Sequence, residues 1–176
     1  MTKLHPGLED LFGRVGAQIY DSADKKIDGM ILLSELLATG EVTNWSKTPH
    51  FDHINNKIWM PEDCEDYDRV AAHELIHWTG HKSRTGRYKG YHSEVCCGQH
   101  AYHLEELVAE LGSLMLCERF GITSKDNRKR MIAGWRSTFR GSQTHTKKEA
   151  YAIAMRDAEK AVAYILSLVQ MERKAA

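Results

Sequence analysis

His73-Glu74-Leu75-Ile76-His77 sets two imidazoles four residues apart with a carboxylate between them. On a helix, residues four apart stack on one face, so both rings can turn a nitrogen toward one ion. Glu74 lies one step round the helix, where a carboxylate can reach a water on that ion without ligating the ion itself. Two imidazoles and a neighbouring base are what a zinc hydrolase uses to make a nucleophile near neutral pH.

In a chain with ten histidines such a pair can arise by chance, so its surroundings decide its weight. Asp66-Tyr67-Asp68-Arg69-Val70-Ala71-Ala72 reads as a helix start, with Asp66 as N-cap and acidic residues in the first turn. Gly80 follows at the spacing of a helix C-terminus. The motif is therefore expected on a helix of about four turns, the setting in which its geometry works.

A catalytic zinc site takes three protein ligands and keeps a fourth position open. One solution places Gly three and His six residues after the second motif histidine; Gly80 fits, but Ser83 stands where the histidine would be and His81 is out of phase. The other takes a glutamate from a later helix, and Glu105-Glu106-Leu107-Val108-Ala109-Glu110 supplies three. Glu106 and Glu110 share a face, whereas Glu105 projects about 100° away. Glu106 is therefore the expected ligand and Glu110 the acid that bonds a ligand histidine and fixes its tautomer. Glu105 is the reserve ligand, and Ala109 and Gly112 leave room for a second helix.

Around these residues the chain must build a scaffold. Leu8, Leu11, Phe12, Val15 and Ile19 predict a first helix over residues 7–20, and a shorter one is expected from Ile31 to Ala38. Phe51, His53, Ile58 and Met60 alternate about Asn55-Asn56, predicting an antiparallel ribbon with a two-residue turn, stopped by Pro61. Residues 80–98 read as a loop framing the site. Leu104, Leu107, Val108, Leu111, Leu114 and Met115 stripe a helix from Ala101 to Phe120 that Gly121 closes. Further helices are expected over Arg128–Phe139 and Thr146–Val169.

The expected organisation is one domain over residues 1–176: an N-terminal helical segment (1–48), a strand ribbon (49–61), the metal-site core (62–120) and C-terminal helices (121–176). The fold class is α+β, mostly helical, with a small antiparallel sheet. Basic and acidic residues number 24 each, so no net field favours nucleic acid or an anionic membrane. The cluster Lys125, Arg128, Lys129, Arg130, Arg136 and Arg140 reads first as a solvated face, with weak single-stranded nucleic-acid binding as the alternative. No apolar run reaches a membrane span and the N-terminus lacks a signal-peptide core, so a cytoplasmic location is expected. Cys64, Cys96, Cys97 and Cys117 form no disulfide framework, and the Cys96-Cys97, His100 and His103 segment reads as a loop rather than a second zinc site.

His73-Glu74-Leu75-Ile76-His77-Trp78-Thr79-Gly80-His81-Lys82-Ser83-Arg84, followed by Glu105-Glu106-Leu107-Val108-Ala109-Glu110-Leu111-Gly112, resembles the zincin-like metallopeptidase domain of ArdC-type antirestriction proteins and TraC-type primases of plasmids and phages. The resemblance extends over residues 50–170. It implies a gluzincin-like fold and a zinc peptidase, with His73, His77 and Glu106 on Zn2+ and Glu74 as base. ArdC-type proteins carry a larger N-terminal domain that binds single-stranded DNA, and residues 1–48 are too short to hold it, so antirestriction and DNA binding are not carried over. A protein or peptide substrate is expected, aligned by strand addition to the ribbon. Tyr102, Tyr91, His81 and Arg84 are the candidate oxyanion or substrate contacts. The alternative is a zinc-stabilised scaffold that binds a host protein without cleaving it.

Overall fold

In the computed structural model, the residues described are 4–21, 48–87, 99–123 and 146–175. Helix α1 spans Pro6–Val15, β1 Ile19–Asp21, β2 His50–Asp52, β3 Lys57–Met60, α2 Tyr67–Thr79, α3 Gln99–Phe120 and α4 Lys147–Ala175. The helices expected at 31–38 and 128–139 lie outside the described residues.

The first helix stops five residues short of the expected end. Gly16 takes a left-handed φ of 68° and its N–H bonds back to Gly13, while Ala17 N–H reaches Phe12 O. That glycine-closed end turns Ile19 out of the helix and into β1. β1 runs parallel to β3, and β2 runs antiparallel to it, in the order β1-β3-β2. The expected antiparallel ribbon is thus the β2-β3 pair, and β1 makes the sheet mixed.

The ribbon's turn is also longer than the two residues expected. Asp52 pairs with Lys57, leaving His53–Asn56 as a four-residue connection. Asp52 Oδ1 accepts from Ile54 N–H and Asn55 N–H, both at 3.0 Å, and Asn56 alone takes a positive φ, 57°. A side chain satisfying the turn's backbone donors replaces the tighter Asn-Asn geometry.

Helix α2 packs on α3, α4, β2 and β3 at once, and its residues 71–79 are buried throughout. A helix surrounded on all sides cannot show a one-sided apolar stripe. Asp66 is the N-cap residue as expected, but it has a left-handed φ of 55° and its side chain makes no cap bond, its carboxylate lying 3.7 Å from Arg69. Instead His5 N–H donates to Asp68 Oδ1 at 2.6 Å, tying the start of α1 to the first turn of α2.

Close approach of α2 and α3 rests on Gly112, where a Cβ would sit 2.8 Å from Ile76 Cδ1. The small residue expected to admit a second helix does so, directly beneath the residue preceding His77. Leu104, Leu107, Val108, Leu111 and Leu116 fill the core on α3, with Leu114 and Met115 only half-buried. Gly121, with φ 66°, ends α3 as expected. Ala150, Ala154, Ala158, Ala161 and Ile165 give α4 a small-residue face in the same core. Thr146 and Glu149 exchange bonds at its start, Thr146 N–H to Glu149 Oε2 at 2.7 Å and Glu149 N–H to Thr146 Oγ1 at 3.3 Å.

Candidate metal centre

The motif helix and α3 bring His73, His77 and Glu106 together, with one ligand-type atom from each lying within 4.8 Å of the others. The two Nε2 atoms are 3.1 Å apart, Glu106 Oε2 is 3.4 Å from His73 Nε2, and Glu106 Oε1 is 3.5 Å from His77 Nε2. Both imidazoles are buried.

The outward nitrogens are held as well. His73 Nδ1 faces Glu110 Oε1 at 3.3 Å, and His77 Nδ1 faces Glu105 Oε1 at 3.1 Å. Each of these carboxylates meets an arginine. Arg69 Nη1 reaches Glu110 Oε2 at 3.2 Å, while Arg87 makes a two-pronged bond to Glu105, Nε to Oε2 at 2.7 Å and Nη2 to Oε1 at 2.6 Å. Carboxylates on Nδ1 favour the tautomer in which the Nε2 lone pair of each ring can take a metal.

Glu74 is 5% exposed and beside the pair. Phe51 N–H on β2 donates to its carboxylate, yet Oε2 is buried with no hydrogen-bond partner among the described residues. Burial pushes its carboxyl up from the usual range, against the pull of His77 and His73. For the imidazoles burial works against the charged form, but bonds to Glu106 and Glu110 lift His73 to about 9, and bonds to Glu105 and Glu106 lift His77 to about 10. Glu106 is held far below the carboxylate range: burial opposes this, and the two histidines outweigh it. These carboxylates thus favour the protonated imidazoles in the metal-free protein.

The donor set fits a divalent cation. Glu105 and Glu110 are balanced by Arg87 and Arg69, so with neutral imidazoles the inner group keeps the charges of Glu106 and Glu74, matched by a dication. Two imidazoles and a carboxylate are also the ligand types such ions take at hydrolytic sites, and the unpartnered Glu74 Oε2 is the acceptor a nearby water would fill.

The other candidates are dispersed. Tyr102, one turn before Glu106, is 63% exposed. Although the side chain is largely exposed, desolvation where its hydroxyl meets Glu106 and the negative charge of that carboxylate push its phenol up to about 12. His81 Nδ1 lies 2.7 Å from Ser83 Oγ, in the turn after α2. Arg84 Nε donates to Trp78 O, its guanidinium lies 3.8 Å from the Trp78 ring centroid, and Nη2 donates to Asn56 Oδ1 at 2.6 Å. These bonds join the hairpin loop to the end of α2. Glu105, the reserve ligand, faces the Nδ1 side of His77 and Arg87, away from the Nε2 cluster. Tyr91, Cys96, Cys97, the side chain of His100 and the cluster from Lys125 to Arg140 lie outside the described residues; the His103 ring packs edge-on to Tyr102.

Sequence reasoning passed over Arg87 and Arg69, because each acts through a side chain that is distant in the chain. Arg69 does sit one turn before His73 on the motif helix, a signal for a partner to Glu110. Arg87 has no such marker. It reaches the site because Gly86, with φ 65°, and bonds from Gly86 N–H to His81 O and Thr85 N–H to Thr79 O fold the chain back over α2.

Known proteins place this geometry in a family. Residues 36–163 match a family described as zincin-like metallopeptidase. The DNA primase TraC of Escherichia coli is 33% identical over 122 residues, 66% of this chain, and a second primase of that name and organism is 39% identical over 70 residues, 40% of this chain. The matched stretches span only 8% and 6% of those primases. The crystal structure of the antirestriction protein ArdC from plasmid R388, metal-free, has a TM-score of 0.58 at 22% identity, covering 95% of this chain and 52% of that one. Its Mn(II)-bound form has a TM-score of 0.53 at 22% identity, covering 94% and 53%. Among the described residues no helix is long and apolar enough to cross a membrane. The chain belongs to the zincin-like metallopeptidase family.

Proposed function

We propose that the chain is a zinc-dependent peptidase in which His73, His77 and Glu106 hold the metal and Glu74 is the general base. The observation that carries this reading is Glu74 itself: a buried carboxylate beside the Nε2 pair, with one oxygen that has no hydrogen-bond partner among the described residues. A site serving only to stabilise a fold has no need of that group.

When bound, zinc supplies Lewis acidity, making water acidic near neutral pH and polarising a carbonyl. Glu74 Oε2 then takes a proton from the attacking water and returns it to the leaving amine. Phe51 N–H holds the other side of Glu74, which couples the base to β2. Among the described residues β2 lies at the edge of the sheet, and an extended peptide added along it would pass beside Glu74. Tyr102 keeps its proton at working pH and is the candidate donor to the oxygen on which charge develops.

A second reading follows the likeness to the antirestriction protein ArdC: a metal-holding scaffold that binds a host protein without cleaving it. Comparing cleaved termini produced by the wild type and Glu74→Gln, both metal-loaded, separates the two.

A further inference from the structure

We propose that Arg87 is a positioning residue that sets the metal affinity of the centre by locking Glu105 onto His77. This rests on reading His73, His77 and Glu106 as the metal-holding groups.

The two histidines are supported unequally. Glu110 and Arg69 share one contact of 3.2 Å, with side chains 18% and 12% exposed. Glu105 and Arg87 share two contacts of 2.7 and 2.6 Å, with side chains 9% and 6% exposed. A two-pronged guanidinium fixes the plane of a carboxylate as well as its charge, and Lys cannot copy it. Glu105 is so held with Oε1 toward His77 Nδ1, and the ring cannot flip or slide without breaking that bond.

Arg87 also grips the helix that carries His77. Its Nη2 donates to Ile76 O at 3.0 Å and its Nη1 to Thr79 Oγ1 at 3.1 Å. Thr79 Oγ1 in turn donates to Ile76 O at 2.6 Å. One guanidinium therefore fixes both the backbone flanking His77 and the carboxylate that orients its ring. A side chain serving stability alone would need the first set of bonds and not the second.

The test is zinc affinity, measured by competition with a chromophoric chelator on folded protein well below its melting temperature, for the wild type, Arg87→Gln, Arg87→Lys, Glu105→Gln and Thr85→Val. Thr85 is the control: its hydroxyl donates to Thr79 O in the same turn at 2.6 Å rather than to Glu105 or His77. The expected result is a roughly 10–100-fold weaker zinc affinity for Arg87→Gln and Glu105→Gln, a lesser recovery with Lys than a charge alone would give, and an unchanged value for Thr85→Val. Should Arg87→Gln not fold, Glu105→Gln, which keeps shape and loses charge, carries the test. Wild-type affinity in folded Arg87→Gln or Glu105→Gln, or a Thr85→Val loss as large as theirs, overturns the proposal. A wild type that binds no zinc overturns instead the reading on which it rests.

Discussion

Glu105 and Glu106, neighbours in the chain, address opposite nitrogens of His77: Glu105 Oε1 lies 3.1 Å from Nδ1 and Glu106 Oε1 lies 3.5 Å from Nε2. Successive helix positions diverge by about 100°, and the imidazole standing between the two side chains takes one carboxylate on each edge. The two acids therefore have different consequences when removed. Glu106→Gln is expected to weaken zinc binding by more than the roughly 10–100-fold typical of an outer partner. Isothermal titration of both variants checks it; equal losses for Glu105→Gln and Glu106→Gln would leave no distinction between ligand and support.

The titration of the two imidazoles gives a pH signature. With His73 lifted to about 9 and His77 to about 10, from an ordinary 6.5, protonation stabilises the folded metal-free protein. That contribution is complete below pH 6.5 and is lost as pH rises through 9 to 10. The melting temperature in chelator should fall across this window. Zinc binding needs neutral imidazoles, so apparent zinc affinity should rise over the same window, with proton release on binding. A metal-free melting temperature that climbs from pH 6.5 to 10 would contradict the assignment.

Tyr102 offers a separable test of the transition state. Loss of an oxyanion donor costs about 100–1000-fold in turnover, and Tyr102→Phe should lower kcat by that order with little change in KM or zinc content. A rise in KM alone would make Tyr102 a binding contact.

The helix interlock can be probed away from the chemistry. At Gly112 a methyl would sit 2.8–3.1 Å from three carbons of Ile76, so Gly112→Ala should cost about 1–3 kcal/mol by overpacking. Adding Ile76→Ala removes those carbons, and the double variant should lose less than the sum of the singles in chemical denaturation. Additive losses would mean that the two helices do not meet there.

The residues that touch the Nε2 cluster were legible because a helix repeats every 3.6 residues, which puts His73 over His77 and turns Glu105 and Glu106 in different directions. The helix stripes of α1 and α3 followed from the same period. Misread features were those decided by backbone shape or distant partners. Gly16 ended α1 in a left-handed turn and released Ile19 to pair with Ile58, a parallel contact that leaves no local pattern. Asp66 carried a capping residue's chemistry but the wrong backbone conformation. The contacts of Arg84 with Trp78 and Asn56 likewise join segments distant in the chain and leave no local pattern. Arg87 depended on a turn at Gly86 that brings it back to a helix it follows by eight residues.

Central to the account is Glu74 as the base of a peptidase, and the most direct measurement is a comparison of newly formed peptide termini. Wild type and Glu74→Gln, matched for zinc content, would each be incubated with a peptide library made from a whole proteome. Cleaved termini are expected from the wild type, falling by about 100–10,000-fold in rate with Glu74→Gln while zinc affinity holds. Equal yields from the two proteins, or none from a fully zinc-loaded wild type, would contradict it.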